Sequence, residues 1–440
     1  VNQQRGDATG SVPTGSVPTG PAPAGPAPAG PGASPRQRTT PSRSRGAGDR
    51  VTMFEIFFDL VFVFALMRVV ELMEQQPGPA GLARGAVVLL LLWWAWCAYI
   101  WLGNRVRLDR GGVVATILVS MGALFVAALV IPSAWEQGAG AGPRSPSSAL
   151  VLAIAFIVVR SSYVATFIRA ARDDRRLRTQ VLIDLIPQTA GSVLLIVGAL
   201  LGGDLQVVCW AAAFALDFGV GWLASRYNGW RVTSPAHFVE RHGLVLIIAL
   251  GETVLSSGGA LGAAMADTSA RVLAVPAALL AFVIVVGLWW AYFRGPSTAA
   301  ADALVAAPPR LRPALARDGY TLGHLPLLVG IVYVALGVRL LLEDVVVTPF
   351  APASPVAVAV LAGGLACYLF GLDLFARLMT GAWSGPGTIT AGAAAIVVGG
   401  ASVMLPAFAA LAAFATLVAI AASATSMTRI TSAGTSGRRR

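Results

Sequence analysis

Runs of about 20 residues with almost no charge recur along this chain, among them 112–134, 188–203 and 272–293. They restrict the fold more than any other feature. At 1.5 Å rise per residue, about 20 apolar residues match a hydrocarbon core about 30 Å thick. Inside that core every backbone amide needs a partner within the protein, which for a single run means a helix. Composition agrees: 56% of residues are hydrophobic and only 12% are charged, against roughly 25% charged in soluble domains. The chain is read as an all-α polytopic membrane protein.

Twelve transmembrane helices are predicted, at 54–73, 82–102, 112–134, 148–168, 180–202, 205–225, 238–262, 272–293, 319–342, 355–376, 388–404 and 407–427. Pro406 divides a final apolar stretch too long for one span. The arginines supply an independent check, because cytoplasmic loops retain positive charge. Even-numbered connections are rich in them: Arg105, Arg107 and Arg110 in the second, Arg169, Arg172, Arg175, Arg176 and Arg178 in the fourth, and Arg294, Arg310, Arg312 and Arg317 in the eighth. Odd connections hold Arg84, Arg144 and Arg271, with Arg339 near a helix end. N- and C-termini are therefore expected to be cytoplasmic, in a bacterial cell membrane.

Residues 1–50 carry short Pro/Gly/Ala repeats and then an Arg-rich stretch. Such a segment buries nothing and is expected to be a disordered cytoplasmic tail without a cleavable leader. A net charge of +11 raises the question of nucleic acid. The arginines, however, sit in short loops between apolar runs, where they orient helices, and no nucleic-acid partner is expected. Cys97, Cys209 and Cys367 lie inside apolar runs without CxxC spacing, which supports neither disulfide nor metal site. No cofactor is implied, and a phosphate loop and an HExxH motif are both absent from the sequence.

The chain also resembles itself. FEIFFDLVFVFAL (54–66) and FVERHGLVLIIAL (238–250) align without a gap, and Trp93-Trp94-Ala95-Trp96 has a counterpart in Trp289-Trp290-Ala291-Tyr292. The two matches occur in the same order, six helices apart. They predict a 6+6 parallel internal repeat, with membrane halves at 51–226 and 227–428 and a basic tail at 429–440. Transporters are often built this way, with the site at the repeat interface.

Ionisable residues inside spans are costly and are candidate functional groups. Glu55 and Asp59 lie four apart on one face of the first helix. Glu240 and Arg241 open the seventh, and Glu252 lies about 18 Å deeper at helical rise. Arg68 aligns with Glu252 across the repeat, which suggests a buried ion pair. His324, ahead of Pro326 on the ninth span, has a side chain suited to proton relay. Arg160 and Asp217 are secondary candidates. Seven of them have a structural alternative: an interfacial cap for Glu55, Glu240 and Arg241, and satisfied hydrogen bonding for Asp59, Arg160, Asp217 and His324.

Taken together, Glu55-Ile56-Phe57-Phe58-Asp59-Leu60-Val61-Phe62-Val63-Phe64-Ala65, the Trp93–Trp96 run, Glu240-Arg241-His242-Gly243-Leu244 through Gly251-Glu252, and His324-Leu325-Pro326 resemble the bacterial low temperature requirement A family. The resemblance covers about 51–427. His242 stands where an aromatic is usual, so no role is carried to it. The family implies an integral membrane protein associated with growth in the cold, without a settled molecular activity.

The first functional reading is a transporter or channel-like protein moving an ion or small solute along a path lined by Glu55, Asp59, Glu240 and Glu252, with His324 assisting. The second is an intramembrane enzyme whose carboxylic acid acts on a lipid or isoprenoid-like substrate. The third is a membrane sensor or assembly factor.

Overall fold

In a computed structural model the described residues are 50–136, 147–170, 175–227, 231–262, 268–383 and 386–436. The repetitive tail up to residue 49, Arg144 and the terminal Arg438 to Arg440 lie outside them. Twelve long helices stand at the twelve expected places. They are α1 (Met53–Gln75), α2 (Pro79–Arg105), α3 (Val113–Val130), α4 (Ser148–Ala170), α5 (Arg175–Leu201), α6 (Gly203–Tyr227), α7 (Pro235–Leu261), α8 (Thr268–Phe293), α11 (Leu325–Val347), α12 (Pro355–Thr380), α13 (Pro386–Ser402) and α14 (Ala407–Ser436). Among the described residues no strand forms; one isolated bridge joins Pro352 to Pro406.

Among the described residues, seven segments are long and apolar enough to cross a membrane, with hydropathy as high as 2.7 in Arg271–Ala306. α1 and α7 are not among the seven. These two helices carry the charges described below.

Local chemistry sets the helix ends. Thr52 caps α1: its hydroxyl accepts from the Glu55 amide, and the Glu55 carboxylate accepts from the Thr52 amide, the reciprocal capping box. Proline occupies the first turn of α2, α7, α11 and α12, where no intrahelical N–H is required. Gly381 closes α12 in the left-handed region, φ 77°. Pro406 separates α13 from α14, as expected, and Ala353 donates its amide to the Leu405 carbonyl across that break.

The connection between α8 and α11 was not anticipated as structure. It holds α9 (Ser297–Ala306), α10 (Arg312–Leu315) and a π-helical turn, Ala316–Leu322. The ninth span consequently begins at Leu325, not 319, with His324 at its N-cap. The π-turn is anchored on α2, since the Trp93 indole donates to the Thr321 carbonyl and the Trp101 indole to its hydroxyl, both at 3.0 Å.

Two packing arrangements position the sites. α1, α7 and α11 touch one another pairwise, and α2, α4, α5 and α6 close into a ring in which each helix contacts the next. α11 and α12 cross with their backbones in contact: a Cβ on Gly337 would lie 2.6 Å from the Leu361 nitrogen, and one on Gly364 2.8 Å from the Val334 nitrogen. Lipid offers little hydrophobic drive for helix pairing, so close approach through small residues supplies the packing energy instead.

Candidate functional site

Charged side chains collect where α1, α7 and α11 meet, and they form tiers along the helices. At the end where α1 and α7 begin, Glu55, Asp59, His237 and Arg241 are all essentially sealed, none more than 1% exposed. His237 donates Nε2–H to Glu55 Oε1 at 3.1 Å. Arg241 donates Nη2–H to Asp59 Oδ1 at 2.5 Å, and its Nη1 lies 3.5 Å from Glu55 Oε1. The Trp96 indole also donates to Asp59 Oδ1, at 2.9 Å. Gly103 on α2 leaves room for the tier, because a Cβ there would come within 3.1 Å of Glu55 Oε1. Despite these contacts, Asp59 Oδ2 and Arg241 Nε have no hydrogen-bond partner among the described residues.

The second tier is aromatic. His242 and His324 face each other with ring centroids 5.1 Å apart, among Trp93, Trp96, Tyr320 and Phe375. His242 Nδ1 lies 2.8 Å from the Phe238 carbonyl and His324 Nδ1 3.4 Å from that of Gly319. A carbonyl only accepts, so each Nδ1 is the protonated nitrogen and each neutral ring keeps Nε2 as an acceptor. Tyr292 donates its hydroxyl to His324 Nε2 at 2.8 Å. His242 Nε2 and the buried Tyr320 hydroxyl have no partner among the described residues.

The third tier lies toward the other end. Glu74 on α1 pairs with Arg339 on α11, whose Nε is also 3.9 Å from Glu343. Glu252 on α7 is 4% exposed, its Oε2 has no hydrogen-bond partner among the described residues, and the Arg339 charge acts on it. Glu55 and Glu74 are 19 residues apart on α1, about 28 Å at helical rise, which matches a hydrocarbon core of about 30 Å.

The expected residues divide clearly. Glu55, Asp59, Arg241, Glu252 and His324 belong to this column. Glu240 does not: it is exposed and accepts the Val51 amide at 3.2 Å, fixing the chain's entry to α1. The expected Arg68–Glu252 pair does not form. Arg68 pairs with Glu71 one turn along its own helix and reaches the Ala128 carbonyl on α3. A repeat alignment gives equivalent depth, whereas a contact also needs the two side chains to face each other. Arg160 and Asp217 form a separate ion pair between α4 and α6, with Nη2 to Oδ1 2.7 Å.

His237, Trp96 and the Glu74–Arg339–Glu343 group are the additions that sequence reasoning missed. Two signals were available and unused: Thr52-x-x-Glu55 has the spacing of a helix-starting capping box, and Arg339 and Glu343 stand four apart, as helical ion pairs do. A lone histidine such as His237 gives no comparable signal.

Helices apolar enough to span a bilayer, packed with α1, α7 and α11 around buried ionisable side chains, define a polytopic helical membrane protein with an internal column of acidic and basic residues. The chain belongs to the bacterial low temperature requirement A protein (LtrA) family, whose description matches residues 50–422. A protein of Rhizobium meliloti (strain 1021), "Uncharacterized protein RA0937", is 28% identical over 295 residues, which cover 64% of this chain and 67% of the relative.

Proposed function

We propose that this protein is a multi-pass transporter or channel-like protein of the bacterial cell membrane that moves a small cation, the proton first among them, along the α1–α7–α11 column. The observation that carries this reading is Glu252, a buried carboxylate with an oxygen that no described residue engages. An ionised group at such a position is costly, by about 2.5–3.5 kcal/mol even on the mildest scales. It is retained more readily where a cation or proton visits it than where it only packs.

Charge balance favours a cation over an anion. The column holds five carboxylates, Glu55, Asp59, Glu74, Glu252 and Glu343, against the two guanidiniums of Arg241 and Arg339. Between its outer groups lie the Nε2 acceptor of His242 and the Tyr320 hydroxyl, polar atoms that a water or a passing proton can use. In the first tier Arg241 lies against both carboxylates, and His237 holds the Glu55 oxygen through a hydrogen bond.

The reading includes the 6+6 parallel repeat with both termini cytoplasmic. α1 and α7 meet through their first turns, Glu55 and Asp59 against His237 and Arg241, as two counterpart helices do around an axis along the membrane normal. An intramembrane acid catalyst needs its carboxyl group at an apolar cavity. Asp217, the carboxyl group that lines the aromatic cavity, has both oxygens held by Arg160, and Glu55, Asp59 and Glu252 do not line it; transport is the better supported reading. The test is cation flux into proteoliposomes, comparing the natural protein with Glu252→Gln.

A further inference from the structure

The ring of α2, α4, α5 and α6 surrounds a cavity of about 110 Å³ that the charge column does not use. Its walls are aromatic, with Trp94 and Trp101 from α2, Phe156 and Tyr163 from α4, and Phe218 and Trp222 from α6, and Arg317 of the π-turn stands at one end. Two glycines make the space. A Cβ on Gly221 would lie 2.8 Å from Trp94 Cζ2, and one on Gly191 would lie 3.2 Å from Arg160 Nη1 and 3.3 Å from Asp217 Oδ1.

The Arg160–Asp217 pair on the wall is not symmetrical. Both Asp217 oxygens are taken by Arg160, Oδ1 at 2.7 Å from Nη2 and Oδ2 by Nη1, and Asp217 is only 5% exposed. A guanidinium has five N–H donors. Arg160 commits two of them, has no further hydrogen bond among the described residues, and is 15% exposed beside the cavity. Asp217 thus holds the guanidinium in place while Arg160 keeps donors for something else. The Trp94 indole N–H likewise has no acceptor among the described residues, and the Gln188 amide adds a polar group to the wall.

A site with spare donors on a fixed cation and satisfied acceptors selects an anion. Flat ring faces around it select a flat apolar body. We infer that this cavity binds a small organic anion with a planar apolar body, of the class of an aromatic monocarboxylate, its carboxylate on Arg160 and its ring between the indoles of Trp94 and Trp101. A quaternary amine, the usual guest of aromatic cages, is disfavoured because the exposed member of the pair is the arginine. The site stands apart from the column and does not depend on the transport reading.

The experiment is isothermal titration calorimetry of the full chain in detergent with three naphthalene probes, 2-naphthoate, 2-naphthylmethanol and 2-naphthylmethyl-trimethylammonium. The expected result is saturable binding with naphthoate tightest. Arg160→Gln combined with Asp217→Asn removes both charges together, avoiding a lone buried carboxylate. It should weaken naphthoate by about tenfold or more, the scale of a lost charge-assisted hydrogen bond, and leave the alcohol unchanged. Naphthoate binding that does not saturate, that persists at full affinity in the double variant, or that is weaker than the ammonium probe's overturns the proposal. Should the double variant fail to fold, Gly221→Ala, whose Cβ would lie 2.8 Å from Trp94 Cζ2 and so displace a ring that lines the cavity, takes its place. It must weaken naphthoate too, and unchanged affinity there is equally fatal.

Discussion

Arg241 of α7 donates to Asp59 of α1 at 2.5 Å in a site where neither side chain is more than 1% exposed. The two residues are separated by 182 positions in the chain, and the helices that bear them depend on each other for neutrality. Removing one partner strands the other's charge, at a cost of about 3–5 kcal/mol, whereas removing both together is often close to neutral. Arg241→Leu alone should therefore lower the thermal unfolding temperature of the detergent-solubilised protein sharply. Adding Asp59→Leu should restore much of the loss, the remainder reflecting the contact between Arg241 and Glu55. A double variant no more stable than the single one would contradict the pairing.

The outer charges make a second, contrasting case. Glu74 and Arg339 share an ion pair, while Arg68 and Glu252 do not meet. Double-mutant cycles on unfolding in detergent should give a coupling of about 0.5 kcal/mol or more for Glu74 with Arg339, and within about 0.3–0.5 kcal/mol of zero for Arg68 with Glu252. A large coupling for the second pair would restore the contact that the repeat alignment suggested.

Much of the architecture was legible in the sequence because the bilayer simplifies it. An uncharged run of sufficient length has few alternatives to a helix, and all twelve appear where apolar runs and Pro406 placed them. α9, α10 and the π-turn were not legible: they are short, lie between spans, and depend on contacts such as Trp93 to Thr321. In the site, the residues of unusual cost (Glu55, Asp59, Arg241, Glu252) could be found by their cost alone. Their partners could not, because helix rotation and crossing decide them. Arg68 sits at the depth of Glu252 but faces Glu71 and α3.

Backbone contact between α11 and α12 leaves no room for a larger side chain at Gly337, where a Cβ would lie 2.6 Å from a backbone nitrogen. Overpacking of this kind costs about 1–3 kcal/mol, occasionally more. Gly337→Leu should lower stability measurably, while Gly363→Leu on α12, where a Cβ meets nothing within 4 Å, should not. Unfolding in detergent compares the two. Equal losses would contradict the role of close approach at Gly337, since helix propensity favours leucine over glycine at both positions.

Outside the spans, hydrogen bonds from Arg107 hold the Asp109 carboxyl below its ordinary value of 3.8. A group depressed on folding contributes stability above its unfolded pKa and loses it as pH falls through the folded one. The turn between α2 and α3 should therefore hold its protection at pH 5 and lose part of it below about pH 3.8. Hydrogen exchange across residues 106–112 reads this directly, and Asp109→Asn at pH 5 should reproduce the acid behaviour.

The central claim is that the α1–α7–α11 column conducts a cation, with Glu252 as a group the cation visits. Proton and alkali-cation flux into proteoliposomes measures it, for the natural protein, for Glu252→Gln and for Glu240→Gln. The expected result is flux that Glu252→Gln abolishes or reduces at least tenfold and that Glu240→Gln, a change at an exposed residue outside the column, leaves intact. Proteoliposomes containing folded natural protein with no flux above empty vesicles, or with flux indifferent to Glu252→Gln, would contradict it.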